Sequence, residues 1–90
     1  MVMKSMNVIV KNKDGLHTRP ASLIMQCACE FSADVQLIVQ DEVVNAKSIM
    51  SLIGISAIQG SEVTIVADGE DEDAALVQLA DLFDRGFDED

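Results

Sequence analysis

Apolar and polar residues follow two different periods along this chain, and the switches between them mark out its elements. Met6–Val10, MNVIV, is apolar and β-branched and runs into the polar KNKDG, which predicts a strand and a turn. From Arg19 to Phe31 the period lengthens. Pro20, Leu23, Ile24, Cys27, Ala28 and Phe31 recur at the spacing of one helical face. A proline is accommodated only in the first turn, so this helix must begin within a few residues of His17. Asp34–Gln40 returns to alternation, with Val35, Leu37 and Val39 on one side. Asp41-Glu42 then predicts a turn into a short strand over Val43–Ala46, which closes a hairpin.

Lys47–Ser56 does not separate the two periods cleanly. A short helix N-capped by Ser48 would place Ile49, Leu52 and Ile53 on one face, with Gly54 and Gly60 bounding the segment beyond it. Ser61–Asp68 alternates again through Val63, Ile65 and Ala67. The stretch DGEDEDAALVQLADLF opens with acids suited to the positive end of a helix. It continues with Ala75, Leu76, Leu79, Ala80, Leu82 and Phe83 on one stripe, and Gly86 is placed to end it. The order is β-α-β-β-α-β-α. Elements of this kind bury their apolar sides by laying the helices on one face of a single sheet, an α+β two-layer sandwich, and the hairpin requires at least partly antiparallel pairing.

Composition narrows this picture. Ninety residues, 49% of them hydrophobic, are expected to form a single domain over 1–90 rather than a disordered segment. The aromatics are Phe31, Phe83 and Phe87, so aliphatic side chains must fill most of the core. No apolar run approaches the ~20 residues that span a bilayer. The opening MVMKSMNVIVKNK lacks the apolar region of a signal peptide, which makes the cytoplasm the expected location and membrane insertion unexpected. Cys27 and Cys29 would point to different faces of a helix. With one histidine they fall short of a structural zinc set, so free thiols and no metal are expected.

The charge is uneven. Residues 1–67 carry six acids and five bases, whereas residues 68–90 carry ten acids and a single base, Arg85. A net charge of −10 with no basic face argues against nucleic-acid binding, and the acidic end reads as a solvated surface.

Candidate chemistry is concentrated in DGLHTRPAS, Asp14–Ser22, which holds the only histidine and the only proline. Gly15 permits a tight backbone at the helix entry. The first turn of a helix has unpaired N–H groups and partial positive charge, a ready anion site suited to phosphate. Arg19 adds a fork of donors for a phosphoryl group, Pro20 fixes the turn, and the His17 imidazole is a competent covalent nucleophile. GISAIQG lacks the lysine of a P-loop.

GLHTRPAS resembles the active-centre signature of the HPr family, the histidine phosphocarriers of the bacterial phosphoenolpyruvate-dependent phosphotransferase system. NAKSIMSL, Asn45–Leu52, is similar to that family's regulatory-serine region, and QGSEVTIVADGEDEDAA resembles its fourth strand and third-helix entry. The resemblance implies an open-faced β-sandwich with a four-stranded antiparallel sheet and three helices on one face. It implies that His17 takes a phosphoryl group on Nδ1 from enzyme I and passes it to a IIA domain or protein. Arg19 and the first-turn region at Thr18, Pro20 and Ala21 would stabilise that group. Ser48 would be the site of regulatory phosphorylation by an HPr kinase/phosphorylase. Lys47, Ile49, Met50 and Leu52 would dock partners, a transcription regulator among them. The resemblance further implies a carrier rather than an enzyme, a monomer, and no cofactor.

Two features depart from the family pattern. Thr18 stands where alanine is usual, and Gln26, Cys29 and Ser51 thin the basic surround of the active centre to Arg19 and Lys47. GFDED, residues 86–90, is similar to the end of nitrogen-related HPr paralogues, which keeps a nitrogen-related or purely regulatory role open as the alternative.

Overall fold

The structure, a computed structural model, describes residues 4–55 and 57–89. Its elements are β1 (Lys4–Ile9), α1 (Thr18–Ala28), β2 (Asp34–Val39), β3 (Glu42–Asn45), α2 (Ile49–Ile53), β4 (Glu62–Asp68) and α3 (Glu72–Asp84), followed by a single turn over Gly86–Asp88. The strands form one sheet in the order β1-β4-β2-β3, with every neighbouring pair antiparallel. This is the α+β two-layer sandwich that the alternation of periods predicted, in the open-faced antiparallel form that the resemblance implied.

The register explains the layering. Val8 lies opposite Val63, Val35 opposite Ala67, and Leu37 opposite both Ile65 and Val44. Val35, Leu37, Val39, Val63, Ile65 and Ala67 therefore share one face, and all are buried. The helices cover that face with Ile24 and Ala28 from α1, Leu52 from α2, and Ala75, Leu76, Leu79 and Phe83 from α3. The opposite face carries polar pairs, such as the Thr64 hydroxyl donating to Asn7 Oδ1 at 2.8 Å. Removing one apolar face from water is what holds the helices to the sheet.

Several boundaries differ from those the sequence predicts, for local reasons. β1 begins at Lys4, because β4 offers pairing partners as far as Ala67 and the Lys4 ammonium reaches Asp73 of α3 at 2.7 Å. Val10 leaves the ladder, yet its backbone still exchanges hydrogen bonds with Gly60 and Ser61. α1 stops at Ala28, and the N–H groups of Glu30 and Phe31 donate to the carbonyls of Cys27 and Ala28 in tightened turns. The hairpin turn is Gln40-Asp41 rather than Asp41-Glu42. Both residues have positive φ, 50° and 68°, the twist that a two-residue hairpin requires, and Glu42 pairs with Val39. In α2, Ile49 and Leu52 turn inward, but Ile53 remains 47% exposed, since a one-turn helix presents only a narrow stripe to the core.

The acidic stretch before α3 is not simply a solvated surface. The Asp71 carboxylate accepts from the N–H groups of Ser32 and Ala33 at 2.9 and 2.8 Å, which holds its pKa below the usual carboxylate range. Glu72 is buried and accepts from the Gly69 N–H at 3.0 Å. Both acids tie the start of α3 to neighbouring backbone.

At the far end of α3, Gly86 has φ +61°, the left-handed position that commonly closes a helix. Phe87 and Asp88 continue with φ +56° and +60°, a conformation that costs a non-glycine residue about 1–2 kcal/mol. Burial of Phe87 offsets that cost. Its ring is fully buried and meets Phe83 edge-on, with centroids 4.9 Å apart. The turn carries the chain back over the β1–α1 connection.

Phe83→Ala removes the ring that supports both α3 and this turn. It is expected to lower unfolding stability by about 3–5 kcal/mol, measured by denaturant titration.

Candidate functional site

The connection from β1 to α1 is built around Asn12 and Gly15. Asn12 is buried, and its Nδ2 donates to the Gly15 carbonyl at 2.7 Å. The Gly15 N–H returns a bond to the Asn12 carbonyl at 3.2 Å, and the Leu16 N–H donates to the Ala57 carbonyl at 2.9 Å. Gly15 has φ +69°, and a Cβ there would collide with the Ala57 oxygen. Only glycine permits this approach, and it delivers His17 to the N-cap of α1 in extended conformation.

The His17 ring does not cap the helix. Among the described residues the N–H groups of Thr18 and Arg19 have no acceptor, and Pro20 has no N–H to satisfy. Ala21 differs from expectation. Its N–H donates to the His17 carbonyl at 3.0 Å, the first bond of the helical ladder, so its amide is already engaged. Arg19 takes its place in the pair of open amides. The turn beside the imidazole therefore presents two donors and the positive end of α1.

The largest element that sequence reasoning missed is Glu89. Its carboxylate oxygens lie 2.9 and 3.1 Å from His17 Nε2. Asn12 Nδ2 donates to it at 2.9 Å and Arg19 Nη1 at 3.3 Å, while the same Arg19 nitrogen donates to the Phe87 carbonyl at 2.7 Å. A carboxylate only accepts, so Nε2 carries the hydrogen and Nδ1 keeps the lone pair of the neutral ring. Hydrogen bonding from His17, then from Asn12 and Arg19, holds the Glu89 carboxyl below the usual carboxylate range against the burial that opposes it. No spacing signal links residues 72 positions apart. The run GFDED reads as a helix end and a paralogue-like terminus, with nothing in it that points to His17.

Asp14, His17 and Glu89 each offer one ligand atom within 4.8 Å of the others, the one cluster of this kind among the described residues. The Arg19 guanidinium and the Asn12 amide already donate to Glu89, so the arrangement gathers donors around an anion and disfavours a cation.

The second predicted region is α2. The Ser48 hydroxyl accepts from the Ser51 N–H at 3.3 Å, the N-cap that the sequence suggested. Lys47 Nζ donates to the Phe31 carbonyl at 2.8 Å, which ties the ammonium to the exit of α1. Met50 is 78% exposed and Ile49 half-buried, whereas Leu52 is 1% exposed and lies in the core. Leu52 therefore offers no docking surface, because the inward stripe of α2 includes it. Ile58, which the sequence pattern did not single out, is 73% exposed, and its Cα lies 3.1 Å from where a Gly15 Cβ would stand. Cys27 and Cys29 are both free; burial pushes the Cys27 thiol up.

Gly15→Ala combines a left-handed backbone with a clash against Ala57. It is expected to cost at least about 2 kcal/mol in unfolding free energy by denaturant titration. A second expectation concerns acid. Glu89 titrates lower when folded, so its ties are fully stabilising above the ordinary glutamate value of 4.5 and are lost as pH falls through the folded value. Melting temperature against pH should consequently fall less steeply on the acid side for Glu89→Gln than for the unsubstituted protein.

Comparison with known proteins identifies the family. The family model described as the PTS HPr component phosphorylation site matches residues 4–85. The chain is 43% identical over 89 residues to the phosphocarrier protein HPr of Treponema pallidum (strain Nichols), covering 99% of each chain. It is 47% identical over 78 residues to the HPr-like protein Crh of Bacillus subtilis (strain 168), covering 87% of this chain and 92% of that one. The crystal structure of HPr-C-His from Thermoanaerobacter tengcongensis superposes with a TM-score of 0.92 at 40% identity, covering 97% of this chain and 98% of that one. Match, identity and superposition all run across nearly the whole length, and they place the chain in the HPr family of phosphocarrier proteins of the phosphotransferase system, carriers rather than enzymes.

Proposed function

We propose that His17 accepts a phosphoryl group on Nδ1 from phospho-enzyme I and passes it to a IIA domain or protein of the sugar phosphotransferase system. The observation that carries this reading is the imidazole at the N-cap of α1. Its Nε2 is engaged by Glu89, while the ring stands beside the open amides of Thr18 and Arg19. The Nδ1 lone pair attacks phosphorus, and the incoming oxygens meet donors already in place. The Arg19 guanidinium, about half exposed, swings from the Phe87 carbonyl to the phosphoryl oxygens as a charge-assisted donor. Pro20 holds the first turn in shape.

Partners dock on α2 and its approach, through the exposed Met50 with Ile49 and Lys47; in this reading the protein works as a cytoplasmic monomer. Phosphorylation of Ser48 by an HPr kinase/phosphorylase would place about two negative charges beside Met50 and alter docking of acidic partners. Among the described residues, no helix is long and apolar enough to cross a membrane.

The alternative is a nitrogen-related or purely regulatory paralogue, switched at Ser48 and read by a transcription regulator. The 47% identity to the HPr-like protein Crh lends it weak support. It predicts acid-stable, alkali-sensitive phosphate on treatment with HPr kinase and ATP, absent from Ser48→Ala.

With enzyme I and phosphoenolpyruvate, the protein is expected to gain one acid-labile, base-stable phosphate by mass spectrometry. His17→Ala should gain none, and phosphate on that variant would refute the assignment. Arg19→Ala should still be phosphorylated, but about tenfold or more slowly, the loss of one charge-assisted contact.

A further inference from the structure

We propose that Glu89 is a positioning residue for phosphoryl transfer at His17. Its carboxylate holds the Nε2 hydrogen and offsets the positive charge that the ring acquires when Nδ1 bonds to phosphorus. This inference rests on the reading of His17 as the phosphoryl acceptor.

The Nδ1 lone pair forms the N–P bond, and the bond from phosphorus to the donor breaks with its electron pair remaining on the donor. The hydrogen on Nε2 does not move. The ring, neutral beforehand, now carries a substituent on each nitrogen and is an imidazolium. In onward transfer the N–P bond breaks, its pair returns to Nδ1, and the ring departs as neutral imidazole. A carboxylate fixed at Nε2 favours the charged ring in both directions. An aspartate paired with a catalytic histidine stabilises imidazolium on the same principle.

Three features show that the carboxylate is held for this position. First, both oxygens lie within 3.1 Å of Nε2. Second, Asn12 donates from one nitrogen both to the Gly15 carbonyl, which shapes the His17 turn, and to Glu89, so one buried amide registers acceptor and ring together. Third, the Glu89 side chain is only 18% exposed against 40% for His17, so the charge acts where water screens it less. The strained turn at Phe87 and Asp88, anchored by the buried Phe87 ring, delivers it there. Among the described residues, the other charged groups at the ring are Asp14 and Arg19. Asp14 is exposed, and Arg19 is shared with the Phe87 carbonyl.

The test compares Glu89→Ala and the isosteric Glu89→Gln with the unsubstituted protein and with His17→Ala. Phosphorylation by enzyme I and phosphoenolpyruvate is followed by rapid quench. Imidazole nitrogen and proton NMR follows the hydrogen on Nε2 in the phosphorylated state. The unsubstituted protein should show a downfield Nε2–H resonance protected from solvent exchange. Glu89→Gln, which keeps an acceptor but no charge, should retain the resonance and lose about tenfold in rate. Glu89→Ala should lose both. A rate equal to that of the unsubstituted protein in either variant, or an unprotected Nε2–H in the unsubstituted protein, overturns the role of Glu89 while leaving His17 as acceptor. Phosphate on His17→Ala would overturn that underlying reading instead.

Discussion

The molecule is organised by the need to hide one face of one sheet. Val35, Leu37, Val39, Val63, Ile65 and Ala67 leave a continuous apolar surface that no single helix could cover, so all three helices must lie on the same side. That constraint decides where the chemistry sits. α3 has to run across the sheet beside β1, and its last turn then falls next to the β1–α1 connection, where Lys11 reaches Asp84 at 2.6 Å. Phe87, driven into the core at the end of α3, carries Glu89 back over His17. The His17 turn is thus assembled from two parts of the chain that burial brings together and that hydrogen bonds to Glu89 and the Phe87 carbonyl then fasten.

Within that frame, small polar groups do the fine positioning. Gly15 lets the backbone press against Ala57, and Asn12 bonds both sides of the junction. The open amides of Thr18 and Arg19 and the Arg19 guanidinium then face whatever anion meets the His17 ring. The acidic character of the last quarter of the chain acquires a different meaning here. Asp71 and Glu72 satisfy backbone donors at the start of α3, and Glu89 engages the histidine. Acids used in this way are ligands for the protein's own donors. The proposed docking side is less charged, with Met50 and Ile58 exposed and Lys47 tied to the Phe31 carbonyl, which would shift recognition toward apolar contact.

What could be read from the sequence was whatever depends on neighbours in the chain. Alternation identified β2 and β4 and their inward residues, β-branched composition identified β1, a turn signal identified β3, and three- and four-residue spacing identified α1 and α3. Gly15-Leu16-His17-Thr18-Arg19-Pro20 disclosed a histidine at a helix start because turn, nucleophile and guanidinium all lie within one turn of backbone. The Ser48 N-cap was equally local. Even so, the hairpin slipped by one residue, because left-handed φ at Gln40 and Asp41 is selected by strand twist and not by residue type. The inward face of α2 was also misjudged at Ile53, since a single turn has too few residues to reveal which stripe the sheet will bury.

The tertiary structure alone decided which groups meet across the molecule. Glu89 and His17 are 72 positions apart, and nothing in either neighbourhood refers to the other. Their contact exists because α3 must cover the sheet and Phe87 must be buried. The same holds for Asn12, a polar residue in a polar loop that becomes a buried donor where Gly86 and Glu89, beyond α3, return over it. The sequence by itself therefore determined the element order, the face each of β2 and β4 buries and the presence of a histidine at the start of α1, all set by local periodicity and local hydrogen bonding. The orientation of that side chain and the acceptor behind its Nε2 were settled by long-range burial, whose geometry is not written in the spacing of any one segment.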